Sequence, residues 1–209
     1  MDRIVQMVGV ALAAALSSSC ADVGGTSIGL SGYSLVRAQP RAVAGGHLMV
    51  TPPREWNRLN SRIFDDVRHV EDWTQNGMAL DSLSFVDGLG NDKSLVRQYR
   101  SDDRQVPRFR STMTAPEIAA MIESLFRVRA GTIDFRTTAL VPRPFLGGDG
   151  FQLDFDHLDS DEVWRRGRAV GVVVEGRLFL IMLDAARSHY FNAALADFEA
   201  VANSARLGR

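Results

Sequence analysis

The densest grouping of side chains able to do chemistry is acidic: Asp154, Asp156, His157, Asp159, Asp161 and Glu162. Carboxylates beside an imidazole make a ligand set for a hard divalent cation or for zinc, so Asp154, Asp156, His157, Asp159 and Asp161 are the metal candidates. Their spacing matches no known calcium loop, and the Gly that such a loop needs at its sharp turn is missing. Asp154 and Asp156 share one face of a strand and the rest fall in the turn beyond, so the competing expectation is a solvated strand face and hairpin loop. The other histidines, His47, His69 and His189, are far apart and form no His-x-x-x-His pair; His189 belongs to the first turn of the last helix, where a structural role is expected. Asp65 and Asp66 with His69 offer a general acid/base group, but no further motif anchors them. Gly88-x-Gly90 lacks the following helix of a phosphate loop and reads as a turn, and neither a nucleophile elbow nor a P-loop is present. Gly147-Gly148-Asp149-Gly150 reads as the lip of a pocket with no ligand indicated. The single Cys, Cys20, permits no internal disulfide and no multi-Cys metal site. No catalytic residue, no metal and no cofactor are assigned.

The elements that must position these residues are clearest from Phe151 to Arg206. Phe151 to Asp156 alternates apolar and polar, as a half-buried strand does. Arg165–Val174 and Arg177–Asp184 flank Glu175-Gly176, a two-residue hairpin loop. Leu178 to Leu183 is apolar at every position, which predicts a strand buried on both faces. A helix follows, capped at Ser188, with Phe191, Ala194, Leu195, Phe198, Val201, Ala202 and Ala205 on one face. Upstream, Thr114-Ala115-Pro116-Glu117 is a capping-box helix start. Ile118, Met121, Ile122, Leu125 and Phe126 form its apolar stripe, and Gly131 ends it. Thr132–Val141 is strand-like. His47–Val50 reads as the first core strand, stopped by Pro52-Pro53, and Leu80–Phe85 as an arm of a second hairpin whose return is Leu95-Val96. The fold class is α+β, an antiparallel meander sheet packed by helices.

The chain has 209 residues, a net charge of −1 and 45% apolar residues. That bounds it to one globular domain with an adequate core and leaves no overall charge favouring a nucleic-acid partner. At the N-terminus, Arg3 precedes a ten-residue apolar run, Met7 to Leu16, which is shorter than the roughly 20 residues of a membrane span. Charge, short apolar core and small residues form a signal-peptide pattern over residues 1–19. Ser17-Ser18-Ser19-Cys20 then resembles the lipobox of bacterial lipoproteins, with Leu16 one position earlier than the box's usual Leu. That resemblance implies lipid on Cys20, with palmitate among the acyl chains, and a membrane as partner. Ala21 after the Cys implies sorting to the outer membrane, facing the periplasm. The alternative is plain secretion with cleavage after Ala21. Residues 20–44, rich in Gly, Ser and Ala, read as a flexible tether, and residues 45–209 as the single domain.

The layout over residues 45 to 207 resembles the PsbP-like group of α/β/α sandwiches. The shared features are a strand near Pro52-Pro53 and Trp56, a helix near Ala115 to Arg127, a meander, and a final helix with Phe191, Phe198 and Ser204. A lipocalin-like or cystatin-like arrangement is the alternative. The resemblance implies a mostly non-enzymatic adaptor or accessory role with no catalytic residues to carry over. The expected function is a membrane-anchored envelope lipoprotein that binds a protein partner or aids assembly. The alternatives are a periplasmic small-molecule or metal carrier and a periplasmic hydrolase.

Overall fold

The hairpin at Glu175-Gly176 sets the centre of the molecule. Both turn residues have positive φ, 51° and 73°, which is the type I′ geometry that matches strand twist. Trp164–Val174 (β9) and Arg177–Ala186 (β10) pair from Val174↔Arg177 to Arg165↔Ala186. A left-handed conformation at a non-Gly residue costs about 1–2 kcal/mol, and Asn tolerates it better than Glu. Glu175→Asn is therefore expected to raise stability by about 0.5–1 kcal/mol, measured by urea unfolding at constant m-value.

A computed structural model describes residues 32–60, 70–96 and 106–208. In chain order the remaining strands are Tyr33–Val36 (β1), Arg41–Val43 (β2), Leu48–Val50 (β3), Trp56–Leu59 (β4), Val70–Thr74 (β5), Asp81–Leu89 (β6), Asp134–Pro142 (β7), Phe151–Leu158 (β8) and Arg206–Leu207 (β11). The helices are Ala115–Arg129 (α1) and Tyr190–Ser204 (α2). Eight strands form one sheet in the order β1-β4-β5-β6-β10-β9-β8-β7, and β11-β3-β2 form a second. Every pairing in the large sheet is antiparallel. Its edges, β1 and β7, do not pair with each other, so the sheet is open rather than closed into a lipocalin-type barrel.

β10 lies between β6 and β9, and every residue from Leu178 to Ala186 is buried. Alternation sends Phe179, Ile181 and Leu183 into a cluster with Phe191, Phe198 and Val201 of α2. Leu178, Leu180 and Met182 enter the other cluster, with Ile118, Met121, Ile122 and Leu125 of α1. The continuous apolar run follows from these two apolar environments. Burying Phe198 alone contributes about 1.5–3 kcal/mol. In α1, Glu117 reaches back to accept the Thr114 N–H at 2.7 Å, the helix-start contact expected from the sequence. On β9, residue 167 has to be Gly, because a Cβ there would lie 2.0 Å from the ring of buried Phe155.

The small sheet is held by apolar and polar contacts. Val43, Leu48 and Val50 are buried in the α2-side cluster. Glu71 on β5 accepts the Ala44 N–H at 2.9 Å and the Trp73 indole N–H at 2.7 Å. Buried Asp87 on β6 accepts the His47 N–H at 2.9 Å.

Four expectations change. The stretch 20–44 is not all tether, because β1 and β2 take Val36 and Val43 into the core; the part of it before residue 32 lies outside the described residues. Gly88, placed in a turn, belongs to β6, whose register against β10 shifts there. Leu95-Val96 is not a return strand, since β6 is flanked by β5 and β10; both residues instead plug the α1-side core. The last helix is capped at His189 rather than Ser188.

Candidate functional site

Strand alternation divides the acidic grouping between the two faces of the sheet. On β8, Leu153, Phe155 and His157 point toward α1, and Asp154 and Asp156 point away from it. The metal candidates therefore do not converge on one point. Asp156, His157 and Asp159 are buried rather than solvated.

His157, at 0% exposure, is the centre of the more enclosed group. One ring nitrogen, Nδ1, donates to Asp159 Oδ1 at 2.7 Å, and the other, Nε2, donates to Asp184 Oδ1 at 2.8 Å. Thr132 Oγ1 donates to Asp159 at 2.7 Å. Arg165 Nε donates to Asp184 Oδ2 at 2.8 Å, and its Nη1 donates to the Ala79 carbonyl at 2.5 Å. The Phe126, Phe155 and Phe135 rings surround the imidazole, with centroids 4.7, 5.9 and 6.3 Å away. Burial opposes a charge on His157, but the hydrogen bonds and charges of Asp159 and Asp184 outweigh it and raise the pKa to about 9. The ring is therefore an imidazolium at neutral pH. Burial pushes the Asp159 carboxyl up, and the bonds from His157 and Thr132 more than reverse this, so its pKa is lowered. Two cations face two carboxylates. Both ring nitrogens are occupied, which leaves neither lone pair to bind a metal or take a proton from a substrate. This arrangement ties the end of β8, β9, β10 and the segment after α1 together.

The other face carries an arginine–carboxylate lattice. Arg168 donates to both oxygens of Asp154, at 2.7 and 2.8 Å, and to Glu199 of α2 at 3.0 Å. Arg143 donates to Glu199 at 2.7 Å and to Gln152 at 2.9 Å. Arg166 and Arg187 both donate to Asp156, at 2.8 and 3.3 Å. The bond from Arg166 outweighs burial and lowers the Asp156 pKa. Burial raises the Glu199 pKa, and Arg143 and Arg168 lower it by more. Trp164 lies between Arg136 and Arg187, whose guanidinium carbons are 4.9 and 5.2 Å from its ring. Bidentate arginine gives this lattice fixed geometry, and the carboxylates that might have held a cation hold arginines.

The remaining candidates are dispersed. Asp161 accepts the Val163 N–H in the turn between β8 and β9, and Glu162 is exposed there with φ 63°. His47 sits beside Asp87, Nδ1 to Oδ2 3.3 Å, and His189 packs edge-on against Tyr190. The loop Gly147–Gly150 is closed by paired backbone bonds between Phe145 and Gly148, at 3.1 and 2.9 Å, with Phe145 buried beneath it. Cys20, Asp65, Asp66 and His69 lie outside the described residues. Asp184, Arg165 and Thr132 are the members of the buried group that sequence reasoning missed. The available signal was parity: His157 continues the apolar series Leu153, Phe155, so it had to face a core and required buried partners.

No family model and no curated protein sequence matches the chain. Among solved structures, the cyanobacterial PsbP protein (CyanoP) of Synechocystis sp. PCC 6803 superposes with a TM-score of 0.53 at 16% identity, covering 87% of this chain and 96% of that one. The fold is PsbP-like. At this identity the similarity is one of fold. Two further solved structures share less. The type VI secretion immunity protein TplEi of Pseudomonas aeruginosa gives a TM-score of 0.38 at 11% identity, over 73% of this chain and 45% of that one. LpqN of Mycobacterium tuberculosis, described as involved in cell envelope biogenesis, gives 0.33 at 10% identity, over 85% and 86%.

Proposed function

We propose that this chain is a non-catalytic envelope lipoprotein: a PsbP-like α/β/α sandwich held to the outer membrane by lipid on Cys20, facing the periplasm and binding a protein partner. The observation that carries the non-catalytic reading is the internal neutralisation, among the described residues, of His157 and of the carboxylates Asp154, Asp156 and Glu199. His157 uses both ring nitrogens on Asp159 and Asp184, and Asp154, Asp156 and Glu199 are each held by arginines. The anchor reading is supported by the apolar run, the small residues and the sole Cys at the N-terminus. No helix among the described residues is long and apolar enough to cross a membrane. An N-terminal acyl group would supply attachment at about 0.8 kcal/mol per buried methylene.

Fractionation of bacteria expressing the chain tests the anchor. The wild type is expected in the membrane fraction, released only by detergent, and Cys20→Ser in the soluble fraction. Equal partition of the two proteins would remove the lipid from the account and favour plain secretion.

A further inference from the structure

We propose that the outer edge of β7 is a self-association surface, at which two copies of this chain join their large sheets through Ile133 to Thr137 about a two-fold axis at Phe135. β7 ends the strand order and has no partner on its outer side among the described residues. Beside β7, Ile133 is exposed (62%). Ile133 donates its N–H to Leu158 at the end of β8, which fixes it at one end of the edge.

The charges select the occupant. In an antiparallel pairing centred on Phe135, Asp134 stands opposite the partner's Arg136, and Arg136 opposite the partner's Asp134. Within one chain Arg136 Nη2 already donates to Asp134 Oδ2 at 2.5 Å. The four groups then form a closed ring of alternating sign, each with two opposite neighbours. A parallel in-register pairing would set Asp against Asp and Arg against Arg, which is destabilising. The edge is thus complementary to itself, as an isologous contact requires. A strongly charged partner fits it less well, because exposed Asp161 and Glu162 stand beside Val163 and offset Arg136 and Arg187.

The contact is short. The register shift between Thr137 and Ala139 and the proline at position 142 stop regular pairing beyond Thr137, as bulges and prolines do on edge strands. A small interface of this kind gives a weak, concentration-dependent dimer.

The test uses the full chain with Cys20→Ser in mild detergent, so that the anchor's fate and the interface's are read separately. Sedimentation equilibrium from about 5 µM to about 500 µM, the range of small interfaces, is expected to show dimer forming as concentration rises. Asp134→Arg turns both crossing contacts from attractive to repulsive and is expected to weaken dimerisation about tenfold or more. Asp134→Arg combined with Arg136→Asp rebuilds the alternating ring and is expected to restore it. A chain that stays monomeric throughout, a dimer unmoved by Asp134→Arg, or a double variant that fails to recover would each overturn the proposal.

Discussion

Replacing His157 by Leu is expected to lower folding stability by about 3–5 kcal/mol, the cost of removing one partner from a buried ionic group. Leu suits the space between Phe126, Phe135 and Phe155, so the loss is electrostatic more than steric. It leaves Asp159 and Asp184 facing Arg165 alone, two carboxylates against one guanidinium, with their hydrogen bonds from the imidazole gone. Urea unfolding should show a lower midpoint at an unchanged slope. Asp161→Ala, in the exposed turn four residues away, should change stability by less than about 0.5 kcal/mol. If the two variants behaved alike, the buried group would have no special standing in the fold.

The second large effect is a loss of stability in alkali. Folding raises the His157 pKa from an ordinary 6.5 to about 9. Its stabilisation is therefore complete below pH 6.5 and disappears as the pH rises through about 9. A shift of this size corresponds to about 3 kcal/mol. Other groups also titrate above pH 8, so the informative quantity is the difference between the wild type and His157→Leu. That difference is expected to be largest near pH 6 and to shrink steadily toward pH 10, followed by urea midpoints at each pH. A constant difference across the range would mean that His157 is neutral in the folded protein.

Local features of the sequence were readable because their causes are local. The Glu175-Gly176 turn, the doubly buried run Leu178–Leu183 and the Thr114–Glu117 helix start each depend on residues within a few positions of one another. What escaped depends on pairing between distant strands. Leu95-Val96 resembled a return arm, yet β6 found β10 instead, since β10 supplied an apolar face on each side. Tyr33–Val36 was readable as a short strand, but β2 was hidden in a stretch of small residues, and only Val36 and Val43 mark the two as core. The acidic grouping was expected as a solvated strand face and hairpin loop, and the burial of Asp156, His157 and Asp159 has a related cause. His157 was placed in the turn beyond the strand, whereas β8 runs on to Leu158 and its two-residue period sends His157 to the face opposite Asp154 and Asp156. The partners that neutralise them, Asp184, Arg168 and Glu199, come from β10, β9 and α2, and sequence spacing carries no record of those contacts.

The described residues form a PsbP-like domain whose candidate reactive groups are engaged with one another. The residues that would say where it works lie ahead of that domain. The measurement that bears most directly on the account is the intact mass of the mature protein, extracted gently from its native envelope. The account predicts a chain that begins at Cys20 and carries added acyl mass. A chain that begins at Asp22 with no lipid would contradict it and make the protein a soluble secreted one.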